Sequence, residues 1–248
     1  MSKTPSGKYF VSILCAVRHQ PLEPTDKCCG VDLGIKDFAI TSDGVRFSSG
    51  RYIQTYCRQL AMAQKHLSRK KKGSSNRNKQ RLKVAAIQEK IAGTRRDMLH
   101  KVSTRIVNEY DIIAVEDLNV KGMMANRKLS KHIADASWGT FVRLLEYKAD
   151  WNDKQVVKIS RWFPSSRTCH ECGWINEDLK LSERAWTCPN GHNLDRDINA
   201  SRNILEAGLK IISPGTGDYT CRDPSKTFRV EKHGSMKQEA HQRSLADG

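Results

Sequence analysis

The chain has 248 residues, enough for one sizeable core and a small appended module. Its 43 Lys and Arg against 27 Asp and Glu leave a net charge of +16, more than solubility requires, so a polyanionic partner is expected. Nucleic acid fits better than a membrane surface, because the basic residues run along a long region and do not line one face of an amphipathic segment. No run nears the roughly 20 apolar residues of a membrane span, and no signal-like segment opens the chain, so the expectation is a soluble, cytoplasmic protein with reduced cysteines, Cys28 among them.

Residues 8–17, KYFVSILCAV, have the β-branched and aromatic content of a strand, followed by a turn-rich linker, HQPLEPTD. The apolar run Cys28 to Leu33 carries a single carboxylate, Asp32, which costs several kcal/mol in such a run unless something binds it or the strand edge faces water. FAITSDGVRF then reads as a hairpin, with Asp43-Gly44 as its turn. Residues 51–109 hold no Pro and keep a helical apolar stripe, predicting a pair of long helices. Between them lies the basic stretch SRKKKGSSNRNKQRLK. Arg69, Lys70, Lys71, Lys72, Arg77, Lys79, Arg81 and Lys83 there are candidates for phosphate contacts, against the plainer reading of a solvated helix junction.

After Tyr110 a buried-type strand ends in acids, and Glu116 falls where that strand leaves the core, the edge at which sites assemble in α/β sheets. Residues 119–133 suit a polar loop over the site. A helix over Trp138 to Trp151 and a strand over Gln155 to Ser160 follow.

Cys169-x-x-Cys172-Gly173 is a ligand knuckle, and fifteen residues separate Cys172 from Cys188, the spacing at which two knuckles converge on one tetrahedral Zn²⁺. A second C-x-x-C would need Cys at 191, where Gly191 stands. The fourth ligand is then His192, or else His170, and four protein ligands make the metal structural and not water-activating. Asp195-Arg196-Asp197-Ile198-Asn199 follows at the start of an amphipathic helix to Ile212. An N-cap accounts for one aspartate but not for two. Three carboxylates far apart in sequence, Asp32, Glu116 and an aspartate of this pair, are hard oxygen ligands suited to Mg²⁺ and to phosphodiester cleavage.

GVDLGIKDFAITSDG, VEDLNVKGM, FPSSRTCHECG and DRDINASRNIL, in that order, resemble the RuvC-like nuclease half of the transposon-encoded TnpB family, relatives of type V CRISPR effectors. The resemblance covers about residues 8–212. It implies an α/β RNase H-like (RuvC) fold, with a mixed sheet, flanking helices and an inserted zinc ribbon. It also implies DNA cleavage with two Mg²⁺ and a guide RNA that selects target DNA. Carried over by motif, Asp32 is the first catalytic acid, Glu116 the second and Asp197 the third, with Asp195 the competing assignment. The implied organisation is 1–26 a wedge-like β remnant and linker, 27–168 nuclease core, 169–192 zinc ribbon, 193–212 the helix of the third acid and 213–248 a disordered tail. Family members carry a recognition and wedge region of which this chain matches only a final strand, so an upstream-encoded half is an expected partner. Two other readings stand beside the endonuclease: a nucleic-acid-binding protein without cleavage, and an inactive transposon fragment.

Overall fold

A computed structural model describes residues 1–49, 52–126, 130–180 and 182–212. The elements run β1 (Ser2–Lys3), β2 (Tyr9–Phe10), β3 (Cys28–Leu33), β4 (Asp37–Thr41), β5 (Arg46–Ser48), α1 (Tyr52–Ser68), α2 (Ser75–Glu109) and β6 (Ile112–Glu116). They continue through α3 (Val120–Met123), α4 (Ser130–Ala136), α5 (Trp138–Trp151), β7 (Gln155–Ile159), β8 (Ala185–Thr187), β9 (Asn193–Asp195) and α6 (Arg196–Ile212). The central sheet is mixed, in the order β5-β4-β3-β6-β7.

The sequence explains that order. β3 and β6 lack polar alternation through their centres, and such runs belong in the middle of a sheet covered on both faces. They pair in parallel, Gly30 with Ala114 and Val31 with Val115, and β7 extends the parallel side. β4 returns antiparallel to β3 through the predicted hairpin with β5, whose turn has Gly44 at φ +90° and its amide 2.9 Å from the Thr41 carbonyl. β5 and β7 alternate buried and exposed residues, as edge strands do.

Strand periodicity then sorts the side chains. Cys29, Val31, Ile113 and Val115 point into the main core, which Leu99, Val102 and Ile106 of α2 and Phe141 and Leu145 of α5 complete. The opposite face carries Gly30, Ala114 and Ile159, and α6 lies there with Ile204 buried against it. A Cβ on Gly30 would sit 2.0 Å from the Ser201 carbonyl oxygen, and one on Gly208 2.5 Å from Ala114 Cβ. The helix reaches the sheet because both positions lack a side chain. Where β3 begins, Asp111 accepts from the Thr25 and Asp26 amides at 2.7 Å and from the nearly fully buried Lys154 ammonium at 3.2 Å, fixing the linker to the sheet.

Several expectations are corrected. Of the strand expected over 8–17, only Tyr9–Phe10 is strand, paired with Ser2–Lys3, and Val11, Ile13, Leu14 and Val17 are exposed. A strand needs a ladder partner, and among the described residues this segment has none beyond β1. Half of the basic stretch is not turn: residues 75–83 form the first turns of α2, capped by the Ser74 hydroxyl, and the connection proper is 69–74. At 1.5 Å per residue the 35 residues of α2 span about 52 Å, so its N-terminal half leaves the sheet and packs along α1. The loop expected over 119–133 contains α3 and the start of α4. Cys28 is disulfide-bonded and not reduced; it is half-buried at the entry of β3, whereas Cys29 beside it is a free, buried thiol. The tail expected over 213–248 lies outside the described residues. No helix among the described residues is long and apolar enough to cross a membrane.

Candidate active site and metal centre

Asp32 and Glu116 are the next residues after the paired Val31 and Val115, so they stand side by side at the carboxyl ends of two adjacent parallel strands. The two-residue repeat puts both on the face of Gly30 and Ala114, which is the face that α6 covers. The first turn of α6 brings Asp197 to the same edge. Burial and the charges of Glu116 and Asp197 push the Asp32 carboxyl up to about 7, with Arg196 opposing them. Glu116 is also raised by burial, offset by the Ser165 hydroxyl, whose Oγ lies 2.5 Å from its Oε1.

The two candidate third acids have different surroundings. Asp195 accepts the Asp197 and Ile198 amides at 3.1 and 3.0 Å, which makes it the N-cap of α6, and its other oxygen takes Arg46 Nη2 at 2.8 Å. It is exposed and is absent from the charges acting on Asp32. Asp197 is half-buried, with Arg184 Nη1 3.3 and 3.4 Å from its two oxygens. Asp197, and not Asp195, is thus the aspartate whose charge bears on Asp32.

Three carboxylates at an edge where burial, and after it the charges of its neighbours, raises one of them this far fit a hard divalent cation, which would neutralise all three. A proton is the alternative, and it is lost above pH 7.

The cysteines meet in the ribbon. Cys169, Cys172, Cys188 and His192 offer ligand atoms all within 4.8 Å of one another. Cys172 Sγ to Cys188 Sγ is 3.8 Å, and His192 Nδ1 lies 3.2 Å from Cys188 Sγ and 3.7 Å from Cys169 Sγ. Zn–S bonds of about 2.3 Å and Zn–N bonds of about 2.0 Å at tetrahedral angles require separations of about 3.8 and 3.5 Å, so the donor set fits zinc in spacing as well as chemistry. Gly173 and Gly191 both have positive φ, +74° and +83°, at the two knuckle turns. Gly191 thus serves the turn that presents His192. His170 points elsewhere, its Nδ1 3.7 Å from Glu206.

The basic stretch forms a separate surface. Arg69, Lys71, Lys72, Lys79, Arg81 and Lys83 are exposed, Lys70 is half-buried, and none has an acidic partner among the described residues. Arg77 differs, since its Nη1 donates to the carbonyls of Leu67 and Lys70 at 3.0 and 3.2 Å and so closes the end of α1.

Four residues near the acids were not singled out as site residues from sequence: Ser165, Arg184, Asn199 and Asn203. Ser165 and Arg184 carry no local signal. The two asparagines do, being four apart on a helix and each 2% exposed, so they interrupt the apolar side of α6 where only a satisfied amide is tolerated.

Comparison with known proteins follows this layout. Residues 12–127 match the OrfB_IS605 model, described as a probable transposase, and residues 138–204 match the Cas12f1-like TNB domain. The chain is 42% identical over 239 residues to a Streptomyces pristinaespiralis protein named "Putative RNA-guided DNA endonuclease", covering 96% of this chain and 58% of that one. It is 33% identical over 226 residues to "Putative RNA-guided DNA endonuclease InsQ" of Escherichia coli K12, covering 84% and 56%. It is 27% identical over 223 residues to "TnpB-like protein L79" of Acanthamoeba polyphaga mimivirus, covering 82% and 41%. The chain thus spans about half the length of these relatives. Among solved structures, the cryo-EM structure of a Cas12f1–sgRNA–target DNA complex superposes with a TM-score of 0.54 at 14% identity, over 75% of this chain and 51% of that one, a likeness of fold.

Proposed function

Because this chain belongs to the TnpB family, we propose that it is the RuvC-like nuclease part of an RNA-guided DNA endonuclease, hydrolysing phosphodiesters at Asp32, Glu116 and Asp197. The observation that carries this reading is the placement of Asp32 and Glu116 at the carboxyl ends of adjacent parallel strands, with Asp197 in the first turn of the helix packed on those strands. Two Mg²⁺ held there would supply an activated water and stabilise the leaving oxygen of an in-line displacement. Glu116 is oriented by Ser165. Arg184, beside Asp197, adds positive charge suited to a phosphate at the same edge.

In this reading 27–168 is the nuclease core, 169–192 a zinc ribbon closed by Cys169, Cys172, Cys188 and His192, and 193–212 the helix of the third acid. Guide RNA and target DNA are the partners. The test is incubation of the purified chain with Mg²⁺ and single-stranded DNA, with and without guide RNA. Metal-dependent cleavage by the wild type, and none by Glu116→Gln, is expected. Retained DNA binding without cleavage by the wild type would reduce the chain to a binding module.

The cations of the α1–α2 connection are assigned to phosphate contacts. Replacing Arg69, Lys70, Lys71 and Lys72 with Gln should lower the slope of log K against log salt by roughly three to four, close to one per lost contact. The loss should be independent of base sequence. An unchanged slope would make these four residues a solvated surface only.

A further inference from the structure

Resting on that reading of the acidic edge, we propose that Ser165 is a positioning residue that sets the metal-binding orientation of Glu116, and that its own place is fixed by α6 and the Cys₃His ribbon together. Ser165 is 6% exposed and donates from Oγ to Glu116 Oε1 at 2.5 Å. Among the described residues Glu116 Oε2 has no hydrogen-bond partner, so one oxygen is held and the other is left for a cation.

The loop that carries Ser165 is itself pinned at its carbonyls. Asn203 Nδ2 donates to the Ser165 carbonyl at 2.7 Å and to the Thr168 carbonyl at 2.6 Å, and Asn199 Nδ2 donates to the Thr168 carbonyl at 2.7 Å. Asn199 Oδ1 accepts the His170 amide at 2.9 Å. Two amides on one face of α6 therefore grip the residues on both sides of Cys169, the first ligand of the metal cluster. Within the loop, the Thr168 amide and hydroxyl both reach the Pro164 carbonyl, at 3.0 and 2.9 Å, so the ribbon's first ligand and Ser165 belong to one hydrogen-bonded turn. Buried amides whose Nδ2 donors are engaged this way hold a fixed geometry, and losing a residue that orients a metal ligand typically costs about 10–100-fold in metal affinity.

The test reads metal binding directly. Mn²⁺, a paramagnetic stand-in for Mg²⁺, is titrated into the full chain and bound ion is followed by electron paramagnetic resonance, with melting temperature measured alongside. Ser165→Ala should raise the half-saturating Mn²⁺ concentration about 10-fold or more with little change in melting temperature. Ser165→Thr, which keeps the hydroxyl, should bind close to the wild type. A titration of Ser165→Ala that overlays the wild type, while Glu116→Gln loses the binding, would overturn the positioning role and leave the nuclease reading intact. If Glu116→Gln also binds as the wild type does, the acidic edge is not a metal site and both readings fall. If Thr binds as weakly as Ala, packing and not the hydroxyl sets the site, and the proposal is likewise overturned.

Discussion

Replacing Asp32 with Asn should raise the melting temperature at pH 8 in metal-free buffer while reducing metal-dependent cleavage to background. Stability and activity move in opposite directions because one carboxylate serves both. The folded protein holds the Asp32 proton up to about pH 7, against 3.8 for the ordinary group, through burial and the nearby charges of Glu116 and Asp197. A carboxyl with a raised folded pKa contributes its full stability below the unfolded value and loses it as pH climbs through the folded one. The window is therefore pH 4 to 7. Across it the wild type gives up on the order of 4 kcal/mol, at about 1.4 kcal/mol per pH unit. For a chain of this length that corresponds to roughly 10 °C. Asn has the same shape and no charge, so the variant escapes the loss.

Two controls make the prediction specific. At pH 4 Asp32 is still protonated in the folded state, and the variant and wild type should melt together. Mg²⁺ added at pH 8 should stabilise the wild type and do less for the variant, since a cation relieves in the wild type the repulsion that the substitution has already removed. A melting difference that is equal at pH 4 and pH 8 would trace the effect to packing, and the carboxylate cluster would lose its support.

How far the sequence could reach depends on where each determinant sits. Asp32 could be singled out because it is the lone acid of a continuous apolar run, and Glu116 because it falls where a buried-type strand leaves the core. The α5 span and the Asp43-Gly44 turn were legible because periodicity and turn chemistry act within a few residues. The choice between Asp195 and Asp197 was not. What distinguishes their surroundings lies far off in the chain: Arg46, 149 residues from Asp195, pairs with it from a different strand. Ser165 acts through Glu116, 49 residues away, and a lone serine offers nothing for pattern reading to hold. The failure at 8–17 is of another kind. Val11, Ile13 and Val17 have strand propensity, but propensity records fit to a neighbour, and the described residues supply no neighbour there.

Removing the ribbon metal should have the second large effect. Among the described residues Cys169, Trp186, Cys188 and Leu194 form the buried core of the ribbon, with Leu179 packed beside them, and two of the four are candidate ligands. So small a core does not hold three segments together unaided, whereas structural Zn²⁺ contributes roughly 10–16 kcal/mol of apparent binding energy in small metal-dependent domains. About one zinc per chain is expected by elemental analysis. His192→Ala should lose most of it, because Nδ1 closes the tetrahedron beside Cys188 and Cys169. His170→Ala should keep it, its ring lying against Glu206. Chelation should also weaken the grip of Asn199 and Asn203 on the Thr168 carbonyl, so amides around 165–170 should lose hydrogen-exchange protection together with the ribbon. Equal zinc content in wild type and His192→Ala would remove His192 from the ligand set. Unchanged protection at 165–170 after chelation would show that α6 alone holds this loop.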